Sequence, residues 1–521
     1  MNIVGQNVAT PEAIAYINGS GTGTLEQDLK QDAWEITIRG EPFSTWAGPV
    51  ALGGGIAYRS EELDGTADAL ATAYNPANPG TVAFRPGVTD RLIINGYPST
   101  KVGTQGLWHT GNNIGSQGQL YVREAFAETL IPLARDAALA KQLDLNAAIR
   151  YADYQYGAGQ TNWKLGLVYS PFEDLKLRST VSRDIRAPNL ADLFAGASIT
   201  LPGVTDPFRT GTTGQPEAAN FGNTISRGNS TLKPEKGDTY TIGAVYSPSF
   251  VEGLTMSVDY YRIKITDAIA QAGGQVIVNQ CFAGNTPFCD LISRNTDPVS
   301  FGAGNTVGPI TALLNPVLNI GTTKNAGIDF ELGYNLPLDR IVDGRSDSLS
   351  FRLLGNRLLK NSSYVVGAAF VTEQVGINGG GIIQGTGGTN DWTATFNITY
   401  RNGPLTVHLQ ERFINGGRIQ ANVDAEGNPY PANAAVNANT NGNGLVPNTV
   451  APFFYTDLTA NYSFEAFGEA KLQAFVTVNN LFDKQPPERL GTLFGVGVVP
   501  TNYSLYDAIG QTFTAGVRFR F

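Results

Sequence analysis

The chain ends on an alternating stretch, FTAGVRFRF, at residues 513–521. One face of this stretch carries Phe513, Ala515, Val517, Phe519 and Phe521, and the other carries Thr, Gly and Arg residues. Chain termini usually fray, so an apolar stripe that reaches the last residue needs a structural reason. The closing strand of a membrane β-barrel supplies one, because it must stay ordered to its end with one face in lipid. The alternative is an edge strand of an ordinary β-sandwich.

The composition favours a barrel over a helical membrane protein. The 521 residues include 61 Gly, 21 Tyr and 26 Phe, and 16% of them are charged, against about 25% in typical globular proteins. No apolar run approaches the ~18 residues of a spanning helix, but barrel strands escape that test because every second residue faces the lumen. The net charge of −9 argues against a nucleic-acid partner, which would require clustered Lys and Arg.

Period-2 segments recur along the whole chain and predict about fifteen strands. Each apolar face is about four positions long, which suits the 9–11 residues that cross a bilayer at a tilt. Many segments end in Tyr or Trp, as an interfacial girdle requires. The clearest segments are residues 143–151, 163–169, 175–182, 240–246, 254–260, 328–334, 392–400 and 472–478.

The connections between these segments separate a barrel from a β-sandwich or a solenoid. Short and long connections alternate with one exception, at residues 157–160. The short ones are residues 41–46, 171–174, 247–253, 401–404 and 465–469; the long ones are 61–116, 187–232, 269–317, 367–389, 417–452 and 484–504. An antiparallel transmembrane β-barrel with short periplasmic turns and long extracellular loops has this asymmetry, whereas a sandwich gives no reason for it.

The first residues do not look like an export signal, since they carry neither a basic segment nor an apolar core. Fifteen is also an odd number, and single-chain bacterial barrels have even counts. We therefore expect residues 1–31 to be an irregular lead-in, the remnant of an outer loop, and residues 32–521 to be part of a barrel domain that lacks its early strands.

Two cysteines, Cys281 and Cys289, lie close together in the loop sequence CFAGNTPFC. This spacing favours a local disulfide formed in an oxidising compartment. Two free thiols are the alternative, and a metal site is weaker because no His lies nearby.

Four segments resemble TonB-dependent outer-membrane receptors. SRDIRAPNLADLF at residues 182–194 is similar to the family's "FRAP" box, with Arg186, Ala187 and Pro188 at its centre. GNSTLKPEKGDTY at residues 228–240 is similar to the "NPNLKPE" box, through Leu232, Lys233, Pro234 and Glu235. VNNLFDK at residues 478–484 resembles the penultimate-strand signature, and the terminal Phe521 matches the family's last residue. GIDFELGY at residues 327–334 is a softer match.

The resemblance implies a 22-stranded barrel, of which this chain holds about fifteen strands. A plug domain and a TonB-binding segment would precede them. It also implies that Phe513, Val517, Phe519 and Phe521 act as the barrel-closure and assembly signal. Haem receptors of the family usually carry a His between the two boxes, and none occurs here between Arg186 and Leu232.

Residues that can support catalysis or metal binding are few. Of the two histidines, His408 alternates onto the lumen face of a strand, and His109 falls in a long loop, so we predict neither an enzyme nor a His-based metal site and no cofactor. A Ca²⁺ site at Glu61, Glu62, Asp64 and Asp68 is possible, but a solvated acidic loop is the simpler interpretation.

Two sets of side chains were weighed as ligand contacts. The loop aromatics can stack on a ligand or pack the loops together: Phe208, Phe221, Phe282, Phe288, Tyr430 and Phe494. The arginines Arg123, Arg150, Arg183, Arg186 and Arg412 are predicted to point inward or towards the rim, where they would meet a plug or an anionic ligand.

The resulting hypothesis is an outer-membrane receptor for TonB-dependent uptake of a scarce nutrient in a Gram-negative-type cell. Its expected partners are outer-membrane lipid, the TonB complex through a segment missing from this chain, and a small extracellular ligand such as a siderophore, cobalamin or a saccharide. The complete protein is expected to be a monomer. The alternatives are a passive channel or adhesion barrel without energy coupling, and a soluble all-β binding module. We also expect an open sheet or a gapped barrel, because missing strands leave unpaired edges.

Overall fold

A computed structural model describes thirteen segments of the chain. They are residues 24–67, 115–196, 198–200, 204–211, 215–219, 224–302, 304–367, 371–378, 389–418, 449–465, 471–487, 501–502 and 505–520. Of the sequence-predicted sites, Asp68, His109, Phe221, Tyr430, Phe494 and Phe521 lie outside these segments.

One large antiparallel sheet dominates the described part. Its strands are β1 (Leu25–Thr45), β2 (Gly48–Ala67), β3 (Gln117–Ala137), β4 (Ala140–Tyr154), β5 (Gln160–Phe172), β6 (Leu175–Arg186), β11 (Glu235–Tyr246), β12 (Leu254–Gln271), β15 (Val317–Pro337), β16 (Ser348–Val365), β18 (Trp392–Asn402), β19 (Leu405–Ile414), β20 (Phe453–Glu465), β21 (Lys471–Asn479) and β22 (Thr512–Arg520).

Shorter elements occupy described parts of the long connections. They are β7 (Ser198–Thr200), β8 (Val204–Thr210), β9 (Pro216–Ala219), β10 (Thr224–Ser226), β13 (Ile292–Arg294), β14 (Ile310–Leu314) and β17 (Thr372–Glu373), with helices α1 (Leu190–Phe194), α2 (Gly274–Phe282) and α3 (Thr286–Cys289) and a 3₁₀ turn at Pro298–Phe301. A second 3₁₀ turn, Leu338–Arg340, lies in the short connection between β15 and β16.

The fifteen long strands follow one another across the sheet in chain order, so the predicted count and the antiparallel architecture are confirmed. The path runs from β1 to β22, and no backbone ladder joins these two strands among the described residues. The first strand begins at Leu25, so the boundary predicted at residue 31 is wrong. The apolar stripe stops there, because the face that carries Trp34, Ile36 and Ile38 holds charged residues in the first part of β1, namely Glu26, Asp28, Lys30 and Asp32.

The connections also follow the predicted asymmetry. Short connections of at most ten residues join β1 to β2, β3 to β4, β5 to β6, β11 to β12, β15 to β16, β18 to β19 and β20 to β21. The strand ends that they join lie at one end of the sheet, here called the turn end, and the strand ends that the long connections join lie at the other, the loop end. The predicted exception is the short link between β4 and β5 at the loop end.

Several strands are longer than a bilayer crossing requires. β1, β3 and β15 have 21 residues each, roughly twice the 9–11 residues that span the apolar layer. The sequence pattern underestimated their length, because alternation of polar with polar residues beyond the apolar stretch gives no hydrophobic signal. The predicted loop at residues 61–116 accordingly loses its first seven residues to β2.

The two faces of the sheet differ in chemistry. The apolar face carries large exposed side chains on many strands, including Ile242, Val258, Leu332, Phe513 and Val517. The polar face carries the residues that alternate with them. A strand turns successive side chains to opposite faces, so this division follows directly from the period-2 sequence pattern. A water-soluble sheet would cover such an apolar face, whereas a membrane barrel turns it to lipid.

The buried apolar core of the described part lies at the loop end rather than under the sheet. Val204, Ile277, Val278, Phe288, Ile310 and Leu313 form one cluster that joins α2, α3, β8 and β14. A second cluster contains Ile414, Phe453, Tyr455 and Tyr506. The described parts of these long connections thus pack together at the loop end.

Candidate functional site

The two sequence boxes meet at the loop end of the sheet. Arg186, the last residue of β6, lies directly opposite Glu235, the first residue of β11. The Arg186 guanidinium donates two hydrogen bonds to the Glu235 carboxylate, from Nε at 2.6 Å and from Nη2 at 2.8 Å. Such a bidentate pair fixes orientation as well as charge. It closes the base of the long connection between the two strands.

The first turn of helix α1 adds a third charged residue to this pair. Asn189 and Asp192 form a reciprocal capping box around the start of α1, which satisfies the free backbone N–H groups there. Asp192 also accepts a hydrogen bond from Nη1 of Arg186 at 3.0 Å. We call Arg186, Asp192 and Glu235 the rim clamp. Asp192 lies within the first box but was not singled out, although the capping-box spacing NLAD could have identified it.

The second box is held from both sides. Leu232 is buried, with 1% of its surface exposed, and the backbone of Lys233 exchanges hydrogen bonds with the side chain of Asn319 on β15 at 2.8 and 2.7 Å. Glu235 additionally accepts a hydrogen bond from the Ile269 amide at 2.6 Å. The box therefore anchors the end of the β6–β11 connection to β12 and β15.

A cavity of about 280 Å³ opens beside the rim clamp. Its lining combines cationic, anionic and phenolic groups, from Arg59, Glu61, Tyr154, Tyr156 and Arg186. Tyr156 packs edge-on against Phe194 of α1, with 5.5 Å between ring centroids. Hydrogen-bond donors and aromatic rings around one cavity suit a polar ligand with flat or ring-shaped parts.

Deeper in the sheet, the polar face carries a second charged row. Arg178 on β6 pairs with Asp259 on β12 through two hydrogen bonds of 2.7 and 2.5 Å. The pair reaches across β11, where Gly243 stands between the two residues in the register. A Cβ at Gly243 would lie 1.9 Å from Asp259 Oδ1, so glycine is required for this crossing. The neighbouring cavity measures about 550 Å³.

The connection between β12 and β15 folds around a disulfide. Cys281 at the end of α2 is bonded to Cys289 in α3, with the two Cα atoms 4.7 Å apart. Phe288 is buried in the adjacent core, and Phe282 packs edge-on against Phe208 at 5.0 Å. In the described part these aromatics pack the loops together, although Phe282 keeps an exposed edge.

Amide side chains tie further connections together at the loop end. The buried Asn378 side chain donates to the Tyr506 hydroxyl at 3.0 Å and accepts from Asn390 at 3.0 Å. Asn502 donates to the Asn378 carbonyl at 3.0 Å. Burial raises the pKa of Tyr506 to about 12, which keeps this phenol neutral at physiological pH. Nothing in the sequence pattern pointed to these residues.

The predicted arginines divide between the two faces. Arg150 and Arg412 lie on the polar face, each over an aromatic ring at 4.8 and 5.1 Å, and Arg186 lies at the rim. Arg123 and Arg183 lie on the apolar face, so of the two predicted orientations, inward or towards the rim, the inward one is wrong for them. Both stand beyond the apolar stretch of their strands, where a charge meets water or headgroups instead of acyl chains. His408 lies on the polar face and is hydrogen bonded to Thr399 at 2.9 Å.

The acidic residues weighed as a Ca²⁺ site do not converge. Glu61, Glu62 and Asp64 belong to β2, so Glu61 lies on the opposite face from the other two. Glu61 pairs instead with Arg59 at 3.1 Å. Within the described segments, no group of three or more His, Cys, Asp or Glu residues could hold a metal ion.

This geometry defines an antiparallel β-sheet protein of the membrane-barrel class. The chain belongs to the TonB-dependent receptor family, since the family model described as "TonB dependent receptor-like, beta-barrel" matches residues 6–481. Barrels of this family lie in the Gram-negative outer membrane. No curated protein sequence matches the chain significantly.

Solved structures share the fold at low sequence identity. A mutant of the ferric enterobactin receptor from Pseudomonas aeruginosa is 16% identical with a TM-score of 0.55, and the match covers 94% of this chain and 54% of that one. The siderophore receptor PirA from Acinetobacter baumannii is 13% identical with a TM-score of 0.52, covering 88% and 51%. This chain thus spans about half the length of the receptors it matches. None of the helices in the described segments is long and apolar enough to span a membrane.

Proposed function

We propose that the complete protein is an outer-membrane receptor that takes up a scarce nutrient by TonB-dependent active transport. The observation that carries this proposal is the family match over residues 6–481, on a sheet whose apolar face suits lipid and whose polar face suits a water-filled lumen. Transport, not catalysis, is the function of the family and of the solved receptors. The TonB complex would act through a segment outside this chain, and the complete receptor would work as a monomer.

The loop end supports ligand capture from outside the cell. The rim clamp and the buried amides around Asn378 hold described parts of the long connections together, as a preorganised binding surface requires. The nutrient class stays open among ferric siderophores, cobalamin and saccharides. Ferric siderophores are the first class to test, because the solved receptors of the same fold are siderophore receptors by name.

The test is uptake by cells that express the complete coding sequence around this chain in a Gram-negative host without competing receptors. Labelled ferric siderophores, cobalamin and oligosaccharides are supplied at low concentration, with and without TonB. Saturable uptake of one class that is lost without TonB supports the proposal. Uptake that continues without TonB indicates a passive channel, and surface binding without uptake indicates an adhesion barrel.

A further inference from the structure

An unusual cluster of positive charges lies on the apolar face near the loop end. Strand β12 continues beyond Tyr260 and places Arg262 and Lys264 on the same face as Val258 and Tyr260. On the neighbouring β15, Lys324 stands directly opposite Lys264 in the register. Arg262, Lys264 and Lys324 are all exposed, and we call them the basic patch.

The basic patch is only partly compensated by nearby carboxylates. Like charges directly opposite each other on antiparallel strands are destabilising, so the facing pair Lys264 and Lys324 costs free energy in the isolated protein. Two carboxylates lie nearby. Asp238 stands directly opposite Lys264 in the register, but it accepts both hydrogen bonds of Arg183, so its single charge is shared between two cations. Asp267 lies 3.7 Å from Lys236. No ion pair joins the three patch residues to a carboxylate in the described part of the chain. The chain as a whole is acidic, with a net charge of −9, so a local cluster of cations does not follow from its overall composition.

The position of the patch identifies what it faces. Between Leu254 and Lys264, ten residue steps of about 3.3 Å at a tilt of about 45° rise ~23 Å across the bilayer. The apolar band of an outer-membrane barrel is about 25 Å tall, so the patch lies at the boundary between acyl chains and headgroups on the loop side. Below it, Val258 and Ile242 are exposed on the same face.

We propose that the basic patch binds the phosphate groups of a phosphorylated glycolipid in the outer leaflet, with the acyl chains of that lipid against the apolar residues below. A phosphate between Lys264 and Lys324 would turn their repulsion into two charge-assisted contacts, and Arg262 offers a planar fork for a third. Basic clusters next to an apolar membrane surface bind anionic headgroups in this way. The inference concerns the lipid boundary and is independent of the nutrient carried.

The test compares lipid binding by variants of the complete, refolded receptor in neutral detergent. Purified bisphosphorylated lipid A is titrated against the wild type and the double variant Lys264→Gln/Lys324→Gln. Two lysines at a headgroup contribute enough to predict a binding loss of about 30-fold. Lipid A without its phosphates is expected to bind the wild type as weakly as the intact lipid binds the double variant.

Lys30→Gln is the matched control. Lys30 is exposed on the same face of β1, four residues beyond Trp34, just as Lys264 lies four residues beyond Tyr260. It stands opposite Glu62, which, unlike Asp238 opposite Lys264, forms no ion pair with an arginine in the described part of the chain. The charge of Lys30 is therefore compensated, and its loss should leave lipid A binding unchanged. The variant Lys264→Arg/Lys324→Arg should retain binding, which separates loss of charge from misfolding.

A second readout is thermal stability. Without lipid, Lys264→Gln/Lys324→Gln should unfold at the same or a higher temperature than the wild type, because a repulsive pair is removed. Added lipid A should stabilise the wild type and not the variant. The proposal is overturned if the double variant binds lipid A like the wild type, if dephosphorylated lipid binds equally well, or if inorganic phosphate binds as tightly as the lipid.

Discussion

Among single residues, we expect Glu235 to contribute more to the unfolding free energy than its position at a strand end suggests. Its side chain is 10% exposed, and it accepts hydrogen bonds from Arg186 and from the Ile269 amide. Glu235→Gln removes the charge that both donors face, and we expect a loss of about 1–3 kcal/mol of unfolding free energy. Asp238→Asn is the control, since the Arg183–Asp238 pair has similar geometry but Asp238 is 45% exposed. We expect it to cost at most about 1 kcal/mol.

Equilibrium unfolding of the refolded receptor in urea, followed by tryptophan fluorescence, measures both changes. Equal losses for Glu235→Gln and Asp238→Asn would mean that burial at the rim clamp contributes nothing.

A glycine pair on β11 tests the crossing of Arg178 over that strand. Gly243→Ala would bring a Cβ to 1.9 Å from Asp259 Oδ1 and to 2.8 Å from the Val258 carbonyl oxygen. The carboxylate would have to move, which breaks its bidentate pair, and overpacking of this kind costs about 1–3 kcal/mol. Gly237→Ala on the same face meets nothing closer than 3.8 Å and should stay within about 0.5 kcal/mol of wild type. The same urea titration applies, and a tolerated Gly243→Ala would contradict the need for glycine.

The turn between β15 and β16 should be sensitive to acid. Hydrogen bonds from Arg345 lower the pKa of Asp347 to about 2 against the opposing effect of burial, and Tyr400 adds a further hydrogen bond. A carboxyl with a lowered pKa in the folded protein stabilises it above pH ~4, and that contribution disappears as the pH falls from ~4 to ~2.

Asp347→Asn should therefore lower the urea midpoint at pH 6, and the difference from wild type should shrink towards pH 2. A difference that does not change with pH would contradict the role of the ionised carboxylate.

The disulfide element at the loop end should stabilise its own connection and not the sheet. Cys281 and Cys289 are eight residues apart, and closing a loop of that length contributes about 2–3 kcal/mol. Cys281→Ser/Cys289→Ser should speed hydrogen exchange of the α2 and α3 amides, while amides of β12 and β15 keep their protection. Faster exchange throughout the sheet would show that the disulfide stabilises the sheet as well.

The strands could be predicted from the sequence because alternation is a local pattern. The contacts between side chains of different strands could not be predicted, because they depend on the strand register. The fifteen strands and the alternating connections were predicted, but β1 and β12 were cut short where the apolar signal stops. The basic patch was missed for that reason, since Arg262 and Lys264 continue the period beyond Tyr260. The rim clamp joins residues 49 positions apart, and that pairing depends on the register of β6 with β11. No spacing within either box specifies it.

For the whole molecule, the ends of the sheet set what this chain can do alone. Among the described residues, β1 and β22 end the path, and backbone groups left unpaired at such edges cannot be satisfied in lipid. We expect residues 1–521 by themselves to form no sealed pore. Planar-bilayer recordings of the purified chain should show no discrete single-channel conductance, and steady unitary steps from a monomer would contradict this.

The central claim is that the apolar face of the sheet meets lipid while the polar face is wet. Spin labels at Ile242, Val258 and Leu332 test it directly against labels at Thr241, Ser257 and Glu331, their neighbours on the polar face. In outer membranes, the first set should relax with lipid-soluble oxygen and the second with a water-soluble nickel chelate. Equal access of one reagent to both sets would contradict the account. It would mean that alternate residues of a strand do not face lipid and water in turn, as a membrane barrel requires.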